Sequence, residues 1–81
     1  MLTTGVMSFL EEAARQARTA LPAPDGSLFL AGVLDSFSLV DFVTLLESEF
    51  GIRIPDADLR PENFDTLAKV EAFIARARVK Q

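Results

Sequence analysis

The chain has 81 residues, a net charge of −4 and an apolar fraction of 49%. These values predict one globular domain over residues 1–81, and the acidic balance argues against nucleic acid as the main partner. Because the sequence contains neither cysteine nor histidine, it excludes disulfides, Ser-His-Asp triads, Cys-His dyads and thiolate or imidazole metal sites.

The first predicted helix lies near the N-terminus and stops before Pro22 and Pro24, which open a long loop to about Asp35. Its inner face is predicted from apolar residues at helical spacing, namely Val6, Phe9, Leu10, Ala13 and Ala17. We expect part of the loop to pack onto the core through Leu28, Phe29, Val33 and Leu34.

The second predicted helix runs from Ser36 to Phe50, with Gly51 just past its C-terminus. Its buried stripe is predicted to consist of Leu39, Phe42, Val43, Leu46 and Phe50. The exposed side then contains Phe37, Val40, Thr44 and Glu47. Phe37 and Val40 form a small apolar patch rimmed by Asp41 and Glu47, and we interpret this side as a partner face.

The last third of the chain predicts a short turn of helix between Asp56 and Phe64, then a final helix capped by Asp65 or Thr66. The inner face of that helix is predicted to hold Leu67, Val70, Phe73, Ile74 and Ala77. The predicted fold is therefore an all-α four-helix bundle, with three long helices, one short helix and a long loop between the first two.

Sites made of carboxylates or glycines are not supported by the sequence. A calcium loop read from Asp56 fails, because Pro61 stands where glycine is needed and Leu67 where glutamate is needed. Gly26 and Gly32 are not followed by lysine, so no phosphate-binding loop exists. The sequence leaves open a catalytic pair of carboxylates acting as acid and base, but it singles out no such pair. We expect no catalytic residue, no metal site and no enzymatic activity.

The pair Asp35-Ser36 stands directly before the second helix and allows two interpretations. Either side chain can accept a hydrogen bond from the N–H groups of the first helical turn, which is a routine way to begin a helix. Spacing alone favours this capping role. The alternative is that the serine carries the chemistry.

The stretch LFLAGVLDSFSLVDFVTLLESEFGIRIPDADL resembles the carrier proteins that hold acyl or aminoacyl groups on a phosphopantetheine arm. The resemblance extends over about residues 28–74. It depends on Leu28-Phe29, Gly32, the LDS run at 34–36, the EFGI run at 49–52 and Ile54-Pro55. The segments GVLDS and RPENFDT are closest to free-standing D-alanyl and peptidyl carriers, and fatty-acid carriers bear more acids where this chain has Ser38 and Ser48.

The resemblance implies that 4′-phosphopantetheine is esterified to Ser36, carries the cargo as a thioester, and is loaded with support from Asp35. The implied partners are a phosphopantetheinyl transferase, an adenylate-forming acyl or aminoacyl ligase, and downstream acyl-transfer or modifying enzymes. The alternatives are a fatty-acyl or polyketide carrier, and an unmodified helical interaction module.

The location and assembly of the protein are also predicted. No stretch reaches the ~20 apolar residues of a membrane span. The N-terminus also lacks the basic residues with which a signal peptide begins. We expect no membrane insertion, a cytoplasmic location, which suits the absence of cysteine, and a free-standing monomer.

Overall fold

The computed structural model describes residues 2–80, with side chains described up to Arg78. The ends of the predicted domain, Met1 and Gln81, lie outside the described residues. Within that range the structure contains three α-helices and no β-strand, which confirms the all-α class. The helices are α1 (Thr4–Gln16), α2 (Ser36–Phe50) and α3 (Leu67–Lys80). None of them is long and apolar enough to cross a membrane.

Helix α1 ends earlier than the sequence predicted. Its last turn closes with hydrogen bonds from Arg18 N to Arg15 O and from Thr19 N to Ala14 O, both 3.0 Å. Arg18 adopts a left-handed conformation with φ of 58°, an arrangement that commonly terminates helices. The prediction that Ala17 lies on the inner face is therefore wrong: this residue is exposed, and Ala14 takes its place in the core.

The loop between α1 and α2 is long and partly buried, as predicted. Leu28, Val33 and Leu34 are buried, whereas Phe29 is only half-buried. The Leu28 carbonyl accepts hydrogen bonds from Val33 N at 2.9 Å and Leu34 N at 3.2 Å. This turn fixes the chain directly before Asp35.

Helix α2 has the predicted bounds, and Gly51 follows it in a left-handed conformation with φ of 63°. The predicted stripe is confirmed at Leu39, Phe42, Val43 and Leu46, which are all buried. Phe50 is an exception, because it lies at the end of the helix and is only half-buried.

The predicted short fourth helix of the bundle is not confirmed. The segment instead contains two single 3₁₀ turns, Asp56–Asp58 and Pro61–Asn63. Pro61 has no N–H to donate, and the residue before a proline is pushed out of the helical region. Arg60 is accordingly extended, with φ of −124° and ψ of 138°, and the two turns cannot join into one helix.

Helix α3 completes an apolar core. Thr66 caps it, since its hydroxyl accepts a hydrogen bond from Lys69 N at 3.0 Å. The predicted inner face is confirmed at Leu67, Val70, Phe73 and Ile74, and Ala77 is half-buried. Every buried side chain among those described is apolar. Two ring pairs fill the interior, Phe9 with Phe42 at 5.6 Å between centroids and Phe64 with Phe73 at 5.0 Å.

Candidate functional site

The start of α2 is capped by Asp35 and not by Ser36. Asp35 Oδ1 accepts hydrogen bonds from Phe37 N at 2.9 Å and Ser38 N at 2.8 Å. Ser38 Oγ accepts a hydrogen bond from Asp35 N at 2.9 Å, so the two residues form a reciprocal capping box. The sequence does not predict this role for Ser38, because a serine at that position is a weaker signal than the usual glutamate or glutamine.

Ser36 is the first residue of the helix and is exposed. Its hydroxyl makes no hydrogen bond with any other residue that the structure describes, because Asp35 already occupies the N–H groups that a cap would use. The two interpretations of the pair are therefore divided between its members. Asp35 begins the helix, and Ser36 presents a free hydroxyl.

The electrostatics of the site follow from this cap. The hydrogen bond from the Ser38 backbone N–H holds the pKa of Asp35 below its usual value, with smaller contributions from the Ser38 hydroxyl and the Phe37 N–H. Desolvation acts in the opposite direction and is outweighed. Asp35 is thus a carboxylate at neutral pH, beside Ser36 and at the positive end of the helix dipole.

The residues around Ser36 fit an esterified phosphate in some respects and leave others to a partner. The hydroxyl is accessible, and the N-terminus of a helix favours an anion. However, no lysine or arginine occurs between Arg18 and Arg53. The described residues also contain no group of three acidic side chains that could hold a metal ion. The attachment point is present in this chain, while charge neutralisation must come from elsewhere.

The predicted partner face is exposed along most of its length. Phe37 is 86% exposed and Val40 is 56% exposed, and Asp41 and Thr44 are also exposed. The Thr44 hydroxyl donates to Val40 O at 3.0 Å, so it is engaged within the helix.

Glu47 departs from the expected exposed position. It is half-buried, and its Oε2 accepts a hydrogen bond from Ile54 N at 2.8 Å. The chain reverses at Gly51 and brings Ile54 back alongside the helix, which helical phase alone cannot predict.

Asp65 forms a junction with the long loop that the sequence does not predict. Asp65 Oδ1 accepts from Ser27 Oγ at 2.7 Å and from Phe29 N at 3.2 Å, and Asp65 O accepts from Leu28 N at 2.6 Å. Ser27 Oγ in turn accepts from Leu30 N at 3.0 Å. The sequence predicted the cap at 65–66, and Thr66 makes it. No local pattern predicts the hydrogen bond between Ser27 and Asp65, which are 38 positions apart.

Comparison with known proteins decides the family. Residues 8–74 match the family described as "Phosphopantetheine attachment site", a range that includes all of α2 and Ser36. The chain belongs to the phosphopantetheine-dependent carrier proteins. This confirms the resemblance, and with it the carrier function and the covalent 4′-phosphopantetheine cofactor that the resemblance implied.

Two relatives place this carrier within the family. It is 37% identical over 54 residues to the D-alanyl carrier protein of Streptococcus thermophilus, covering 67% of this chain and 68% of the relative. It is 39% identical over 46 residues to the D-alanyl carrier protein of Streptococcus pyogenes, covering 57% and 58% respectively. No solved structure matches the chain.

Proposed function

We propose that this carrier holds an aminoacyl group as a thioester on a 4′-phosphopantetheine arm attached to Ser36, and moves it from a loading ligase to downstream enzymes. The proposal depends on one observation. The Ser36 hydroxyl is free and exposed, because Asp35 and Ser38 form the helix cap without it. The arm supplies the thiol that a chain without cysteine lacks. The protein itself catalyses nothing.

In the transfer of phosphopantetheine to the carrier, this chain contributes the Ser36 hydroxyl and the Asp35 carboxylate. Ser36 Oγ forms a new bond to the phosphorus of coenzyme A that carries the pantetheine. The bond from that phosphorus to the oxygen bridging the two phosphates breaks, adenosine 3′,5′-bisphosphate leaves, and the hydroxyl proton passes to the transferase. Asp35 supports this step with a carboxylate that is ionised at neutral pH and attracts the divalent cation accompanying coenzyme A. Its Oδ1 is occupied by the cap, so the second oxygen would be the one available to a cation.

The cargo remains outside the bundle with the arm. An aminoacyl group carries an ammonium, and every buried side chain described is apolar, so a buried ammonium would meet no polar side chain. Admitting a long acyl chain would require displacing the Phe9–Phe42 or Phe64–Phe73 pair, at about 1–3 kcal/mol or more. The names of the relatives make D-alanine the first cargo to test.

The partner face consists of Phe37, Val40 and Asp41, extended by Thr44 and by the half-buried Glu47. The transferase, the adenylate-forming ligase and the downstream enzymes would bind here. Val40→Asp should impair loading with little loss of thermal stability, because Val40 is 56% exposed. A single domain, a monomeric state and a cytoplasmic location stay predictions from the sequence.

Incubation with a broad-specificity phosphopantetheinyl transferase, magnesium and coenzyme A tests the proposal. Intact-mass spectrometry should show one phosphopantetheine per chain, absent in Ser36→Ala and present in the control Ser48→Ala, which changes an exposed serine on the same helix. Modification at Ser27 or Ser38, or none at all in the wild type, would rule the proposal out.

A further inference from the structure

The exposed large apolar side chains lie within one short stretch of the chain, residues 30–40, which includes Ser36. Among the residues that the structure describes, the large apolar side chains that are exposed are Leu30 at 91%, Phe37 at 86% and Val40 at 56%. Phe37 and Val40 belong to the partner face on α2, but Leu30 lies on the preceding loop. An exposed leucine on its own needs no explanation, whereas a cluster at a modification site indicates a binding surface.

Leu30 sits on a turn that the rest of the protein holds in place. Its N–H donates to Ser27 Oγ at 3.0 Å, and Ser27 Oγ donates to Asp65 Oδ1 at 2.7 Å. Ala31 N donates to Ser27 O at 3.2 Å, and the neighbouring Leu28 is fully buried. The backbone of this turn is therefore anchored to the start of α3, and the leucine points away from the core.

Leu30 is close enough to Ser36 to belong to the same interface. The Leu28 carbonyl bonds Leu34 N, and consecutive Cα atoms are ~3.8 Å apart, so the Cα atoms of Leu30 and Ser36 are at most about 20 Å apart. A standard interface buries ~800 Å² per partner and is about 30 Å across. One partner can therefore cover Leu30, Ser36 and Val40 together.

The charge of this region specifies the complementary surface. Between Arg18 and Arg53 every charged side chain is acidic: Asp25, Asp35, Asp41, Glu47 and Glu49. A partner that buries the apolar side chains meets this acidic surround, so its own surface should combine apolar pockets with a rim of lysine or arginine.

We propose that Leu30 is a second apolar contact, on the loop between α1 and α2, for the phosphopantetheinyl transferase that modifies Ser36. The inference rests on the proposed function. The transferase is the favoured occupant because it must bring coenzyme A to Ser36 Oγ itself, which centres its contact area on Ser36. The Ser27–Asp65 junction holds Leu30 ready for this contact.

Steady-state kinetics of a broad-specificity transferase with coenzyme A and magnesium test the inference. Leu30→Ser should lower kcat/KM about threefold to tenfold, mainly by raising KM, as expected when about half of a leucine side chain's burial is lost. Leu30→Met should stay within about twofold of the wild type because it keeps the apolar contact. Ala57→Ser, an exposed substitution in a 3₁₀ turn, is the remote control.

Salt separates the apolar contact from the charged rim. Raising sodium chloride should lower kcat/KM of the wild type, while the ratio of Leu30→Ser to wild type stays unchanged, because screening affects only the charges. If Leu30→Ser is modified as fast as the wild type, the inference is wrong and the proposed function stands. If Leu30→Ser fails only in later aminoacyl loading, Leu30 serves a different enzyme and the inference is also wrong. No modification of the wild type would instead defeat the proposed function.

Discussion

The two ends of helix α2 are held in different ways. At the start, the hydrogen bonds of Asp35 and Ser38 remain within one helical turn, and the neighbouring Ser36 and Phe37 are exposed. At the end, side chains reach distant parts of the chain. Glu49 Oε1 accepts from the Thr3 hydroxyl at 2.6 Å across 46 positions, and Glu47 binds Ile54 N.

Because of this difference, the start of α2 can present the attachment serine while the end of α2 holds the helix in the fold. The acids at the end of α2 join it to α1 and to the following loop, so that end is fixed within the fold. The acid at the start completes a local cap and leaves its neighbour free. A carrier needs both, because the serine must enter another enzyme while the bundle that presents it keeps its shape.

The largest expected effect contrasts two phenylalanines on this one helix. Phe42 is fully buried and pairs with Phe9, whereas Phe37 is 86% exposed. Phe42→Ala should lower the free energy of unfolding by about 3–5 kcal/mol, and Phe37→Ala by no more than about 0.5 kcal/mol. Urea unfolding followed by circular dichroism measures both, and equal losses would mean that the start of α2 is part of the core.

A smaller effect is expected from the hydrogen bond between Thr3 and Glu49 at the end of α2. The Thr3 hydroxyl accepts from Val6 N at 3.2 Å and donates to Glu49, so it both caps α1 and joins it to α2. Thr3→Ala should cost about 1–2 kcal/mol of unfolding free energy. Its matched control is Ser36→Ala, which removes a hydroxyl without a described partner and should cost about 0.5 kcal/mol or less. A larger loss for Ser36→Ala would reverse the comparison of the two ends.

The pH dependence of the Asp35 cap is the smallest effect. Because folding lowers the pKa of Asp35 from its usual 3.8, its stabilising contribution is complete above that value and disappears as the pH falls through the lowered one. Asp35→Asn keeps a capping oxygen but cannot titrate. The difference in urea midpoint between wild type and Asp35→Asn should therefore be constant above about pH 5 and shrink as the pH falls below 3.8. A difference that is constant with pH would show that the charge contributes nothing.

What the sequence predicted well is local. The bounds of α2 and the position of Gly51 depend on residues within a few positions of each other, as does the all-α class. The errors have longer-range or steric causes. Pro61 divides the expected fourth helix, Arg18 ends α1 early, and Glu47 turns inward because Ile54 returns to it. The Ser27–Asp65 bond joins segments 38 positions apart, and no short pattern encodes it.

The proposed function places the arm and its cargo only at the exposed start of α2. Amide NMR shifts, compared between the unmodified protein and the phosphopantetheinylated protein carrying D-alanine, test this most directly. We predict shift changes around Ser36, confined to the end of the long loop and the first turns of α2, with the amides of Glu49 and Phe73 almost unchanged. Large changes at Phe73, or none near Ser36, would mean that the arm or its cargo lies elsewhere.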